Sequence, residues 1–434
     1  MATPRQGPLG RMYHIREASW NVDPTTPTIH LMPLHAQEQF RTDQPREQAV
    51  VYEGTFQSKG SYKGPIDASG DREMSMDYKY VGYDLMDILG SAGYSRVGTL
   101  HRWTSLDLPL PYQLQKEYTQ STAIIHRYPG IFATLMRVAG AVSGQQMYTI
   151  SQLGKGGEAR AAISGATPTD ILERKGYSTF DGSILKGTNF LANVSAFNFS
   201  IDRKVTPKEG YYAAGERAAV SFGTPLIEGD LGLIFTTEDG DTFYDEAIND
   251  TVVTLSCLFA NKPLVAGPTK FLRFWMDAVL FSRTEPGVGG DQIPDQTQHF
   301  IAQLPDSGVY HPATAIGTVL GPYVFTGSNN VVSVKFEGGS TIDVVIATGT
   351  KTAAQVAALL NVDAGFLAKG KAYDLNGRLE IRSLDTTLSS SVQWQTATAN
   401  SAHTLMGFDT TTWTGYAPSE LYVELFNDVS ANYA

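Results

Sequence analysis

The chain has 434 residues, 42% of them hydrophobic and 18% charged, and a formal net charge of -11. That length allows more than one core, and the acidic balance excludes a protein that grips nucleic acid through clustered Lys and Arg, though not a conduit whose acidic and neutral polar walls let DNA slide past. A single cysteine excludes an intrachain disulfide, and no apolar run is long enough to cross a bilayer as a helix.

The N-terminal stretch Met1 to Pro8 lacks the apolar core of a signal peptide, so synthesis in a cytoplasm is expected. Residues 1–49 scatter Pro24, Pro27, Pro33 and Pro45 among few alternating runs and read as an extended arm, disordered in isolation or strapped onto a neighbour. In 72–80, Met74, Met76, Tyr78 and Tyr80 alternate with Glu73, Ser75, Asp77 and Lys79, the period-2 pattern of a strand with one wet face. A strand over 50–58 precedes it, with Val50, Tyr52 and Phe56 on one parity, and Gly60, Gly64 and Pro65 break the ladder between the two. From Tyr83 to Leu89, the residues Leu85, Ile88 and Leu89 share a helical face, and Gly90 suits the left-handed backbone that ends a helix.

Residues 94–111, with Tyr94 and Trp103 among Gly and Pro, read as a loop, and 123–142 return to strand-like patterns. A short helix is expected over 167–176, capped by Thr167, started by Pro168 and stopped by Gly176. Beyond it Phe197, Phe199 and Ile201 alternate with polar residues, and Leu231, Leu233 and Phe235 lead into a turn at Glu238-Asp239-Gly240-Asp241. The runs 251–260 and 271–281 are more continuously apolar, as in strands covered on both faces, and Cys257 within the first reads as a small buried hydrophobe.

Residues 308–417 behave as a separate module bounded by turn chemistry at both ends. Val332 to Phe336 and Ile342 to Ile346 alternate about Gly338-Gly339 as a hairpin, Thr352-Ala353-Ala354-Gln355 is a capping box, and 377–383 add a strand. Because 420–427 then read as another strand of the preceding domain, the module looks like an insertion at an outward hairpin tip between 298–304 and 420–427, removable in favour of a short turn.

Catalytic signals are weak throughout. His14, His30, His35, His101, His126, His299, His311 and His403 are dispersed, with no metal-ligand spacing. Ser183-Ile184-Leu185-Lys186 has the spacing of one hydrolase class but none of its companion motifs, and Gly154-Lys155-Gly156-Gly157 lacks the strand-to-helix context of a phosphate loop. Asp239-Gly240-Asp241 lacks the acidic ladder of a calcium loop. The expectation is a non-enzyme without catalytic residues, metal or cofactor.

The residues Glu53-Gly54-Thr55-Phe56, Gly64-Pro65-Ile66-Asp67 and the alternating strand running into Asp84 to Ser91 resemble the N-terminal half of the tail tube proteins of long-tailed, siphovirus-like bacteriophages. Ala196 to Asp202 with Ile227 to Leu231 resemble the family's second pair of strands, and 271–281, 298–304 and 420–427 its closing strands. The resemblance implies a mainly β fold, a sandwich or barrel with short helices, plus a small inserted α+β or β-rich domain. The division is then an arm (1–49), a tube β domain (50–307), an inserted outer-surface domain (308–417) and a final strand with C-terminal tail (418–434). It further implies a structural subunit of the virion tail that forms stacked hexameric rings around a DNA-conducting channel. Partners would be other copies of itself, the tape-measure, terminator and distal tail proteins, and viral DNA in transit, without membrane insertion. Glu73, Ser75, Asp77, Lys79 and Asp202 are the candidates to face the lumen. Two rival readings are a carbohydrate-binding or adhesion protein, with Trp394 and Trp413 as surface-binding candidates, and a β-rich hydrolase.

Overall fold

The structure, a computed structural model, describes residues 10–48, 61–105, 107–118, 124–141, 145–163, 168–170, 176–177, 182–187, 189–191, 194–208, 216–234, 239–260, 270–283, 295–305, 310–375, 377–396, 399–427, 429 and 431–433. The expected strand at 50–58 lies outside them. In chain order, and leaving aside short strands such as Leu34–Glu38 and Arg41–Asp43, the first elements are β1 (Gly10–Arg16), β2 (Ile29–Leu31), β3 (Asp67–Ser75), helix α1 (Val81–Leu89), β4 (Leu100–Thr104) and β5 (Tyr112–Tyr118). They are followed by β6 (Ile124–Ala141), β7 (Met147–Gly154), β8 (Gly182–Lys186), β9 (Val194–Asp202) and β10 (Leu226–Ile234). Helix α2 (Asp239–Ile248), β11 (Val253–Ala260), β12 (Phe271–Phe281) and β13 (Asp295–Ala302) complete the portion before the expected module.

Two antiparallel layers, joined where β13 pairs with both β10 and β12, build this portion. One runs β3-β7-β6-β9-β10-β13. The other runs through β4, the late strand Tyr422–Phe426, β12, β11 and β8. Period-2 alternation turns one face of the first sheet inward, where Met74, Tyr148, Val138, Phe199 and Phe300 share one buried row. Phe199 meets Phe274 of the second sheet edge-on, with ring centroids 4.7 Å apart. Gly229 lies between Phe199 and Phe300 in that row, and a Cβ there would come within 2.7 Å of both side chains, so only glycine keeps the two rings packed. Cys257 lies in the same core, where burial pushes its thiol up to about 12 and keeps it inert.

Several expectations are corrected. The alternating strand ends at Ser75 rather than at Tyr80. The Asp77 carboxylate accepts the backbone N–H groups of Lys79 and Tyr80, at 2.9 and 3.1 Å, and so turns the chain into α1. The helix ends where expected, at Gly90 with φ 82°. Over residues 10–48 the arm is not detached, because β1 pairs with β5 and β2, and Arg41–Asp43 pairs with β3. The expected loop at 94–111 contains β4, with Trp103 buried. Pro168 and Thr169 form a short strand parallel to β2 rather than a helix start, and 171–175 lie outside the described residues. Residues 239–241 open α2 instead of a turn.

After β13, the strands between Thr314 and Thr414 pair only among themselves within the described residues. Besides the short pair Tyr323–Phe325 and Gly349–Lys351, they are β14 (Thr314–Ile316), β15 (Val331–Phe336), β16 (Ile342–Val345), β17 (Gly370–Leu375), β18 (Arg378–Ser383), β19 (Ser391–Trp394) and β20 (Thr412–Thr414). β15 and β16 are the expected hairpin, and helix α3 (Ala353–Leu360) carries the expected capping box between Thr352 and Gln355. The chain then re-enters the second sheet as β21 (Tyr422–Phe426), and here the plain hairpin expected between 298–304 and 420–427 is absent. Both flanks instead pair with one edge of β12, β21 along Phe271 to Trp275 and β13 along Val279 to Phe281. The module therefore leaves the fold at a sheet corner.

Its underside is sealed to the second sheet. Leu100, Leu258, Phe271 and Phe426 belong to the same apolar cluster as the module's Ile316, Leu379 and Trp413. Arg273 bridges Glu380 of β18, at 2.8 Å, and Glu424 of β21, and Arg102 donates to the Thr314 carbonyl at 2.8 Å.

Candidate functional site

The other face of the β3-β7-β6-β9-β10-β13 sheet is open to solvent. Strand register fixes what it displays. One row across it reads Glu73, Thr149, Arg137, Ser200, Glu228 and Ile301, and the next reads Ser75, Met147, Ala139, Asn198, Asp230 and His299. A third holds Asp71, Ser151, Leu135, Asp202 and Leu226. Each of these side chains is exposed or half-buried, while the intervening parity is buried.

Carboxylates outnumber cations on this face. Asp71, Glu73, Asp202, Glu228 and Asp230 stand against Arg137, with Lys204 2.7 Å from Asp202 and His299 3.0 Å from Asp230. Neutral polar side chains and the apolar Met147, Leu135, Leu226 and Ile301 fill the spaces between them, so the charge on the surface is predominantly acidic.

Glu73 and Asp202, on strands separated by β7 and β6, thus share one surface, together with Ser75. Asp77 does not join them, being 1% exposed and bonded to the turn before α1. Lys79 sits in that same turn, beyond the end of β3. Thr149, Arg137, Ser200, Glu228 and Asp230 belong to the surface but carried no individual signal; the alternation of their own strands was the clue.

Beneath the face, α1 is anchored by buried charge. Arg72, on the inward parity of β3, is 2.5 Å from Asp84, which also accepts the Tyr148 hydroxyl at 2.5 Å. Asp87 lies 2.8 Å from His14 and 2.7 Å from Arg16 of β1. Burial alone would raise its carboxyl, but His14 and Arg16 outweigh it and hold it below the ordinary carboxylate value. Glu17 shows the opposite balance: burial, only partly offset by the N–H groups of Gly130 and Asn21, lifts it to about 7.

The rival sites do not assemble. Trp394 is fully buried and stacks on Phe408 at 4.1 Å, while Trp413 is 5% exposed and lies 4.6 Å beneath the Arg102 guanidinium, so neither offers a ring to a sugar. Lys186 of the Ser-x-x-Lys stretch pairs with Glu246 at 2.9 Å. Among the described residues, no group of His, Cys, Asp and Glu could hold a metal ion, and no helix is long and apolar enough to cross a membrane.

A family model described as phage tail tube protein matches residues 7–302, more than half of the chain. The chain belongs to the phage tail tube protein family. It is accordingly a structural protein of the virion tail that self-assembles with other tail components. No curated protein matches it. The tail tube match ends at Ala302, the last residue of β13, and so covers β1 to β13 and every strand of the acidic face, leaving the 310–418 module outside.

Proposed function

We propose that this tail tube protein closes into hexameric rings that stack into a hollow cylinder, with the β3-β7-β6-β9-β10-β13 face turned to the lumen along which DNA travels. The observation that carries the reading is the continuity of that face. Strands far apart in sequence contribute one uninterrupted solvated surface on which carboxylates outnumber cations. Phosphates passing such a wall meet like charge and few N–H donors, so the strand slides instead of binding. In this arrangement Glu73, Ser75 and Asp202 line the channel as expected from sequence, joined by Arg137, Ser200, Glu228 and Asp230.

Negative-stain microscopy of the purified chain tests assembly, with rings or hollow tubes expected. A cysteine placed at Ser200 tests orientation, because Cys257 is buried and leaves the new thiol as the reactive one. Small maleimides should label Ser200→Cys in tubes and in free subunits, whereas a maleimide on a polymer wider than the channel should label free subunits alone. Equal labelling of tubes by the polymer reagent would place this face on the outside.

A further inference from the structure

We propose that α1, the turn before it and β4 form a binding socket for a tyrosyl side chain, a para-substituted phenol. The chain fills this socket with its own Tyr433, so that the segment after β21 acts as a displaceable strap. Tyr433 is 1% exposed, yet Ala431 and Asn432 just before it are exposed and belong to no strand. The fold thus takes in one side chain rather than a packed element.

The walls of the socket match an aromatic ring. A Cβ at Gly82 of α1 would have as its three nearest neighbours atoms of the Tyr433 ring, all within 2.6 Å, so the missing side chain at 82 is the space the ring occupies. The ring stands edge-on to His101 and Tyr83, with centroids 4.6 and 4.8 Å away, and is tilted against Trp103 at 5.9 Å. His101 is held at both ring nitrogens, by the Tyr94 hydroxyl at 2.8 Å and the Val429 carbonyl at 2.9 Å. Burial presses its pKa down to about 4, so at neutral pH it is an uncharged wall.

The far end of the socket matches a hydroxyl. Tyr433 donates to the Lys79 carbonyl at 2.8 Å and accepts from Asn427 Nδ2 at 2.7 Å. Asn427 is itself oriented, because its Nδ2 also donates to the Tyr78 carbonyl and its Oδ1 accepts the Val429 N–H, each at 2.9 Å. A donor and an acceptor at the end of an aromatic slot distinguish a phenol from a plain benzene ring. The Tyr433 backbone adds little, its N–H lying 3.4 Å from the Tyr94 hydroxyl. Recognition therefore resides in the side chain, and a tyrosyl group carried by another exposed segment would satisfy the same walls and bonds. The strap competes with it as an intramolecular ligand at high effective concentration.

Calorimetric titration of the full-length Tyr433→Ala chain with p-cresol and toluene tests the assignment. p-Cresol should bind saturably, and toluene at least about tenfold more weakly, since it can make neither hydrogen bond. The wild-type chain, with its strap in place, should bind p-cresol at least about tenfold more weakly than Tyr433→Ala. Adding Gly82→Leu to Tyr433→Ala fills the slot from the helix side and should abolish p-cresol binding in a folded chain. If Tyr433→Ala does not fold alone, p-cresol should restore the fold and toluene should not. The proposal is overturned if p-cresol neither binds Tyr433→Ala nor restores its fold, if toluene serves as well as p-cresol, if the wild type binds p-cresol as tightly as Tyr433→Ala, or if binding persists in the double variant.

Discussion

The acidic face of the six-stranded sheet and the seam beneath the module use the same side-chain types to opposite ends. On the face, Glu73, Glu228 and Asp230 occupy alternate positions in solvent, where water and salt screen them and each contributes little to stability. In the seam, Arg102, Arg273, Glu380 and Glu424 are each less than 5% exposed and hold one another across long stretches of chain. Charge on the face is therefore open to adjustment for function, whereas charge in the seam is fixed by its partners. Substitutions that are harmless on one should be ruinous on the other.

The largest effect is expected from replacing 308–417 by a short turn. The cut was expected from sequence to be clean, but the seam argues for a large loss, because excision uncovers Leu100, Leu258, Phe271 and Phe426 and takes Glu380 away from Arg273. At about 1.5–3 kcal/mol for each large apolar side chain returned to water, the loss rivals the whole stability of an ordinary domain, roughly 5–15 kcal/mol. The truncated chain should aggregate in size-exclusion chromatography. A monodisperse, folded remainder would show that the seam is incidental to the tube portion.

Next in size is Arg273→Met. Two carboxylates then share the remaining cations Arg102 and Arg382, and breaking a buried pair from one side costs about 3–5 kcal/mol, readable as a lowered urea midpoint.

Acid should loosen the seam as well. Burial would raise the Glu424 carboxyl, but Arg273 and Arg102 override it and hold it at about 2, against an ordinary 4.5. With the folded value depressed, the unfolded chain takes up its proton first as pH falls. The contribution is complete above about 4.5, is lost progressively toward 2, and amounts to roughly 3 kcal/mol. Urea midpoints measured at pH 7 and pH 3 should differ less in Glu424→Gln than in the wild type, and an identical difference in both would sink this account.

What the sequence disclosed divides along the same line. The alternations at 72–75, 197–202 and 227–233 were legible because period 2 is local and one face of each strand is wet, and the capping box at Thr352 was legible because its two partners lie three residues apart. The seam was not legible, since Arg273 is 107 residues from Glu380 and 151 from Glu424. Asp77 defeated the pattern for a related reason. Its place in the alternation matched a wet position, but backbone N–H groups two and three residues on recruited its carboxylate and ended the strand. Likewise Trp394 and Trp413, read as binding aromatics, are core residues, because nothing local distinguishes a ring that packs from one that waits for a ligand.

The smallest effect on stability, and the most informative about function, is expected from reversing charge on the face. Glu73 and Glu228 lie in one cross-strand row, separated by Thr149, Arg137 and Ser200, and both project to solvent. Glu73→Lys with Glu228→Lys should therefore fold and form tubes, with stability within about 0.5 kcal/mol for each change. In the assembled channel the pair repeats in every subunit, so rings of cation would replace rings of anion and give passing phosphates a series of shallow wells. DNA ejection from virions carrying the double variant should slow at low ionic strength and recover as salt screens the wells, whereas the same reversal at Asp343 or Asp385, exposed or half-buried acids of the module, should leave the rate unchanged. Ejection that is indifferent to the double reversal at every salt concentration would remove this face from the path of the DNA and leave the acidic sheet as an outer wall.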